Sequence, residues 1–79
     1  MTRVLLFGRL ADLAGWRERQ MEAASLDVLR SKLAEEDPAL GAALLGPGVQ
    51  AAVDQTLVRG DAALSAASEV AFLPPMSGG

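Results

Sequence analysis

The residues best suited to chemistry in this sequence of 79 residues are the last two, Gly78 and Gly79. The chain has no cysteine and no histidine, which excludes the commonest nucleophile–base pairs, the usual zinc ligands and the usual proton shuttle at neutral pH. A carboxylate that follows two glycines is unhindered, because glycine has no Cβ and fits a narrow channel. Once ATP has converted it to an acyl adenylate, sulfur or an amine can displace the adenylate. The catalytic groups would then belong to partner proteins.

The segment that carries these glycines differs from the sequence before it. Pro74 and Pro75 cannot donate ladder hydrogen bonds, so a sheet must end before them, and they favour an extended start to a tail. Extended fully, residues 76–79 would reach roughly 13–14 Å beyond the domain. We therefore expect a folded domain over residues 1–75 and a flexible tail over 76–79. A frayed terminus without a role is the alternative, since the ends of most domains are poorly ordered.

The composition limits the other classes of function. A hydrophobic share of 51% and a charged share of 22% are typical of one small globular domain. The net charge is −3, and the seven basic residues are scattered, so no nucleic-acid partner is expected. The apolar run Val4–Phe7 is too short for a signal peptide or a membrane span. We expect a cytoplasmic protein with no metal site and no membrane partner.

The first third of the chain predicts two strands. The continuous apolar run Val4–Phe7 is typical of a strand buried on both faces, although a helix fragment would also fit it. Gly8 and Gly15 enclose Arg9–Ala14, which reads as a turn or a single helical turn. The alternation of side chains over Arg17–Ala23 predicts an edge strand.

The middle third predicts two helices. Ser25 is a suitable N-cap, and the leucines that follow it form one apolar stripe on a helix that ends near Glu36. Asp37 and Pro38 form the start of a second, shorter helix, with the proline at its first position. The segment Gly46-Pro47-Gly48 ends that helix.

The last third predicts strands at 49–53, 57–58 and 69–73, with a tight reversal at 54–56. This order of elements predicts an α+β fold of the β-grasp (ubiquitin-like) type, in which a main helix and a short second helix pack on a mixed sheet. Helices in so short a chain can cover one sheet face. The other face would carry Phe7, Leu73 and Leu57, either beneath a partner protein or as the ordinary exposed apolar area of a small domain.

Two segments resemble the small subunit of molybdopterin synthase. The first is Val4-Leu5-Leu6-Phe7-Gly8-Arg9-Leu10 with Gly15, and the second runs from Ala52 to Gly79 and ends Glu69-Val70-Ala71-Phe72-Leu73-Pro74-Pro75-Met76-Ser77-Gly78-Gly79. The resemblance implies a β-grasp sulfur carrier that is not itself catalytic. In that family the C-terminal glycine is adenylated by an E1-like enzyme with ATP and becomes a thiocarboxylate. No permanently bound cofactor is implied.

The resemblance also assigns roles to individual residues. Gly79 would bear the sulfur as a thiocarboxylate, after its own adenylation, and Gly78 would be the hinge. The residues that thread into the large subunit would be Pro74, Pro75, Met76, Ser77 and Gly78. Phe7, Leu57 and Leu73 would form the interface with that subunit, in a heterotetramer of two large and two small subunits.

The family's partners would be the large subunit, the adenylating enzyme and a sulfur donor protein, and the sulfur would pass to a cyclic pyranopterin precursor. Asp54 and Ala67-Ser68 depart from the family's usual turn residues, Ala11 stands where a basic residue is common, and Met76 stands where Val is usual. These changes concern local turns more than function. Three alternatives stay open: a sulfur carrier for thiamine thiazole formation or RNA thiolation, a ubiquitin-like protein modifier, and an interaction module with an inert tail.

Overall fold

The computed structural model describes residues 1–75, which contain five strands and three helices. In chain order they are β1 (Thr2–Leu6), α1 (Gly8–Ala14), β2 (Glu18–Met21), α2 (Leu26–Glu36), α3 (Pro38–Leu44), β3 (Gln50–Val53), β4 (Thr56–Val58) and β5 (Glu69–Leu73). The strands form one sheet in the order β2-β1-β5-β3-β4. β1 and β5 are parallel neighbours at its centre, and the other pairs are antiparallel. This mixed sheet confirms the predicted α+β, β-grasp fold.

The two main helix boundaries follow from local capping. Ser25 Oγ accepts a hydrogen bond from the backbone N–H of Val28 at 3.2 Å, which satisfies one of the unpaired donors at the start of α2. Asp37 ends α2 and begins α3, where its carboxylate accepts from the N–H of Leu40 at 3.1 Å. Pro38 occupies the first turn of α3, where a missing N–H costs nothing. Both predicted starts are confirmed.

The core lies between the helices and one face of the sheet. Its largest fully buried apolar side chains are Phe72, Leu26, Leu29, Leu33, Leu40, Val4 and Val70. α2 and α3 approach each other closely at Gly41, where an added Cβ would lie 2.4 Å from the Cβ of Ala34. Alternate residues of β1 and β5 are buried, so the helix layer covers a single face of the sheet, as expected.

Two local predictions need correction. The strand β1 is not buried on both faces: Thr2, Val4 and Leu6 are buried, whereas Leu5 on the other face is half-buried and Phe7 lies beyond the strand end. The helix layer covers one face, so an apolar side chain on the other face stays partly exposed. The segment read as a turn or one helical turn is a helix of seven residues, α1, closed by Gly15 in the left-handed region at φ 83°.

The hairpin between β3 and β4 turns at Asp54 and Gln55, which have φ values of 50° and 69°. Two positive φ values in a two-residue loop match the right-handed twist of the flanking strands. Asp54 Oδ1 accepts from the N–H of Glu69 at 2.9 Å, and the N–H of Asp54 donates to the Glu69 carbonyl at 2.8 Å. These bonds tie the hairpin to the start of β5.

Candidate functional site

The candidate site begins where the central strand β5 ends. The last paired residues are Phe72, opposite Leu6 of β1, and Leu73, opposite Gln50 of β3. Pro74 and Pro75 follow without N–H groups, so the hydrogen-bonded ladder stops on both sides of β5. The predicted end of the last strand is confirmed, and the segment that leads to Gly79 leaves from the middle of the sheet.

The two prolines lie against the body of the domain. Both are half-buried. They form part of the lining of a cavity of about 540 Å³, whose other walls come from α1, the C-terminal half of α3 and the loop before β3. Polar groups are few there, and among the lining residues within 1–75 Arg9 is the one that is charged. The root of the tail is therefore packed against neighbouring elements.

The face of the sheet opposite the helices is open, and the strand register places the predicted interface residues on it. Leu5, Ala71, Ala52 and Leu57 lie in one row across four strands. Phe7 is 45% exposed and Leu57 59% exposed. The structure thus leaves a large apolar side chain uncovered near each side of this face.

Phe7 and Leu73 are brought near one another, because the Phe7 N–H donates to the Phe72 carbonyl at 3.3 Å and continues the parallel register by one residue. Leu57 lies apart from this pair on the outer strand β4, with β3 between β4 and β5. Together Phe7, Leu57 and Leu73 form the open apolar face. It ends beside the root of the tail, so one partner can contact both.

The opposite end of the open face is charged. Arg3 pairs with Glu18 at 2.9 Å and with Glu69 at 3.2 Å. The hydrogen bond to Glu18 raises the pKa of Arg3 above its ordinary value. Arg3 and Glu18 are half exposed, so these bridges contribute little to stability. They give the open face a polar border far from the tail.

Within residues 1–75, no group of three or more aspartates and glutamates is arranged to hold a metal ion. In the same range no helix has the length and apolarity needed to cross a membrane. The predicted threading and carrier residues Met76, Ser77, Gly78 and Gly79 lie outside the described residues.

Comparison with known proteins decides the family. The ThiS family model matches residues 4–79. The chain belongs to the ThiS family. Its relative named molybdopterin synthase sulfur carrier subunit, from Escherichia coli K12, is 36% identical and matches over 100% of both chains. The protein of the same name from Haemophilus influenzae is 32% identical over the same extent. The resemblance noted from the sequence, with its sulfur-carrier function, is confirmed.

Solved structures of similar proteins confirm the fold of this ThiS family member. The crystal structure of SAMP1 from Haloferax volcanii has a TM-score of 0.86 and 25% sequence identity, and the match covers 99% of this chain and 98% of that one. A complex of subunits 1 and 2 of molybdopterin-converting factor from Helicobacter pylori has a TM-score of 0.72 and 23% identity, and the match covers 99% and 97%.

Two residues at the site are not predicted from the sequence. The sequence indicates only that Gly8 precedes a turn and that Gly48 belongs to a helix stop. The structure places them beside Pro74 and Pro75. Both have positive φ values, 55° and 81°, a conformation that glycine adopts readily. The sequence contains no local pattern that predicts these contacts.

Proposed function

We propose that this protein carries sulfur on the carboxylate of Gly79 and delivers it within molybdopterin synthase for molybdenum cofactor synthesis. The observation that carries the proposal is the full-length match to sulfur carrier subunits of that enzyme. It is supported by a chain without cysteine or histidine and by a tail root at the centre of the sheet. The carrier supplies the attachment point, and its partners supply the catalysis.

The chemistry of loading follows from a carboxylate. One of its oxygens attacks the α-phosphorus of ATP on an adenylating enzyme, pyrophosphate leaves, and an acyl adenylate forms. Hydrosulfide supplied by a donor protein then attacks the acyl carbon and AMP leaves, so that a C–S bond replaces a C–O bond and Gly79 ends in a free thiocarboxylate. ATP is a substrate of the adenylating enzyme, and the carrier needs no bound cofactor of its own.

Delivery requires a second partner. In the large subunit the thiocarboxylate sulfur attacks a carbon of the cyclic pyranopterin precursor and displaces an oxygen leaving group from that carbon, which forms a thioester. Water then attacks the acyl carbon and the acyl C–S bond breaks, so that the sulfur stays on the pterin as a thiol and Gly79 regains its carboxylate. The open apolar face of Phe7, Leu57 and Leu73 would bind the large subunit, because it lies beside the tail root. Burial of exposed apolar side chains is the main favourable term in most protein association. We place this assembly, a heterotetramer, in the cytoplasm.

A protein modifier is the second candidate. One specific observation favours it: SAMP1 from Haloferax volcanii, which is 25% identical, shares its short name with small archaeal modifier protein 1 (SAMP1) from Methanosarcina acetivorans, whose structure has a TM-score of 0.88 and 22% identity. The same activated Gly79 would react with a lysine amine of a target protein in place of a sulfur nucleophile.

One experiment separates the two candidates. The carrier is incubated with an adenylating enzyme, ATP and a sulfur donor, and its intact mass is measured. Replacement of one oxygen by one sulfur supports the carrier, whereas stable conjugates on lysines of other proteins support the modifier. A variant without Gly79 is the control, and it should fold and bind the large subunit but accept no sulfur. No change of mass in the full chain would refute both candidates.

A further inference from the structure

The two prolines at the root of the tail each pack against a glycine. A Cβ added to Gly8 would lie 2.9 Å from Cγ of Pro74, and one added to Gly48 would lie 2.7 Å from Cβ of Pro75. Real Cβ atoms essentially never approach other heavy atoms within 3.0 Å. The atoms they would meet belong to proline rings, which cannot swing aside as a long side chain does. Any larger residue at either position must therefore displace the tail root.

The strand registers explain why these pairs meet. The parallel register that places Leu6 opposite Phe72 continues to Gly8 opposite Pro74. The antiparallel register that places Gln50 opposite Leu73 continues to Gly48 opposite Pro75. The prolines have no N–H with which to extend the ladder. Each proline ring instead packs against a glycine backbone that has no Cβ atom.

We propose that Gly8 and Gly48 are positioning residues for sulfur transfer: together they form a two-sided proline seat that sets the direction in which the tail leaves the domain. The inference rests on the proposed function of Gly79. If the large subunit holds residues 76–79 fully extended, they span roughly 13–14 Å, and a rotation of about 10° at their root would move their end by about 2 Å. A misplacement of about 1 Å can reduce the rate of a positioned reaction by about 100-fold.

The chain supplies matched controls for the test. Gly15 and Gly60 also have positive φ, at 83° and 75°, but a Cβ at either position would meet no heavy atom within 4 Å. Gly15→Ala therefore introduces the same kind of backbone strain as Gly48→Ala, whose φ is 81°, without touching the tail. A difference between these two variants reports on the proline seat.

The first measurement uses the free carrier and does not depend on sulfur chemistry. Nuclear Overhauser effects are recorded between the Hα protons of Gly48 and the ring protons of Pro75. We expect them in the unmodified chain and in Gly15→Ala, and we expect their loss in Gly48→Ala. Absence of these effects in the unmodified chain would overturn the proline seat whatever the carrier transfers.

The second measurement is the single-turnover rate of sulfur transfer from the loaded carrier to the precursor on the large subunit. We expect Gly48→Ala to lower this rate by about 100-fold when it is folded at the assay temperature and saturated with the large subunit, whereas Gly15→Ala keeps the normal rate. Pro75→Gly removes the proline ring from the seat and introduces no backbone strain, and it should also lower the rate of sulfur transfer.

Three outcomes would overturn the inference. Equal transfer rates for Gly48→Ala and Gly15→Ala would show that the seat does not guide the tail, while the proposed function would stand. A Gly48→Ala variant that fails to fold, together with a Pro75→Gly variant that transfers at the normal rate, would reduce Gly48 to a structural role. Failure of the unmodified chain to accept sulfur would refute the proposed function and the functional half of the inference together.

Discussion

Replacement of Leu57 by alanine should weaken binding of the large subunit and leave the free carrier stable. A fully buried leucine side chain contributes roughly 1.5–3 kcal/mol. Leu57 is 59% exposed in the free carrier, so about 1–2 kcal/mol is available from its burial by a partner. Leu57→Ala removes most of this binding free energy, which corresponds to a rise of up to about 5- to 30-fold in Kd.

Isothermal titration calorimetry of the carrier into the large subunit measures this Kd. Leu45→Ala is the matched control, because Leu45 is also a leucine, is 76% exposed, and follows α3 in the helix layer, away from the open apolar face. We expect its Kd to equal that of the unmodified carrier. If Leu57→Ala bound as tightly as Leu45→Ala, the open apolar face would not be the interface.

Two further predictions concern stability. Gly41→Ala should lower the free energy of unfolding in urea by about 1–3 kcal/mol, because the new Cβ would lie 2.4 Å from Cβ of Ala34; an unchanged urea midpoint would mean that α2 and α3 separate without cost. Asp61 accepts hydrogen bonds at 2.9 Å from the N–H groups of Asp27 and Ala62, and the bond from Asp27 is the main cause of its lowered pKa. The pKa of Asp61 is lower in the folded chain than in the unfolded chain. The stability that its ionised carboxylate contributes is therefore present above pH 3.8 and is lost as the pH falls through the folded pKa. Asp61→Asn should lose less stability than the unmodified chain over that acid range, and parallel curves of urea midpoint against pH would contradict this assignment.

The elements that were predicted with accurate bounds carry strong local signals. α2 begins after Ser25 and ends at Glu36 as expected, because a hydroxyl cap and the Asp37-Pro38 pair mark its two ends. β5 ends at Leu73 because a proline follows it. Such signals act within a few residues, so the sequence alone displays them.

The features that were missed depend on residues far apart in the chain. Leu5 is as apolar as Val4, and nothing local shows that the helix layer covers one of them and not the other. The contacts of Gly8 with Pro74 and of Gly48 with Pro75 require the registers of three strands at once. The open apolar face could be predicted because the chain is too short to build a second layer, whereas the proline seat could not.

The most direct test of the central claim locates the sulfur within the chain. Arg59 is the last basic residue, so trypsin releases residues 60–79 as one peptide from the loaded carrier. Tandem mass spectrometry should find one oxygen replaced by sulfur in the fragment that contains Gly79, and the sulfur should leave that fragment when the large subunit and the pyranopterin precursor are added. Sulfur on any other residue, or sulfur that stays on Gly79 in the presence of both, would contradict the account.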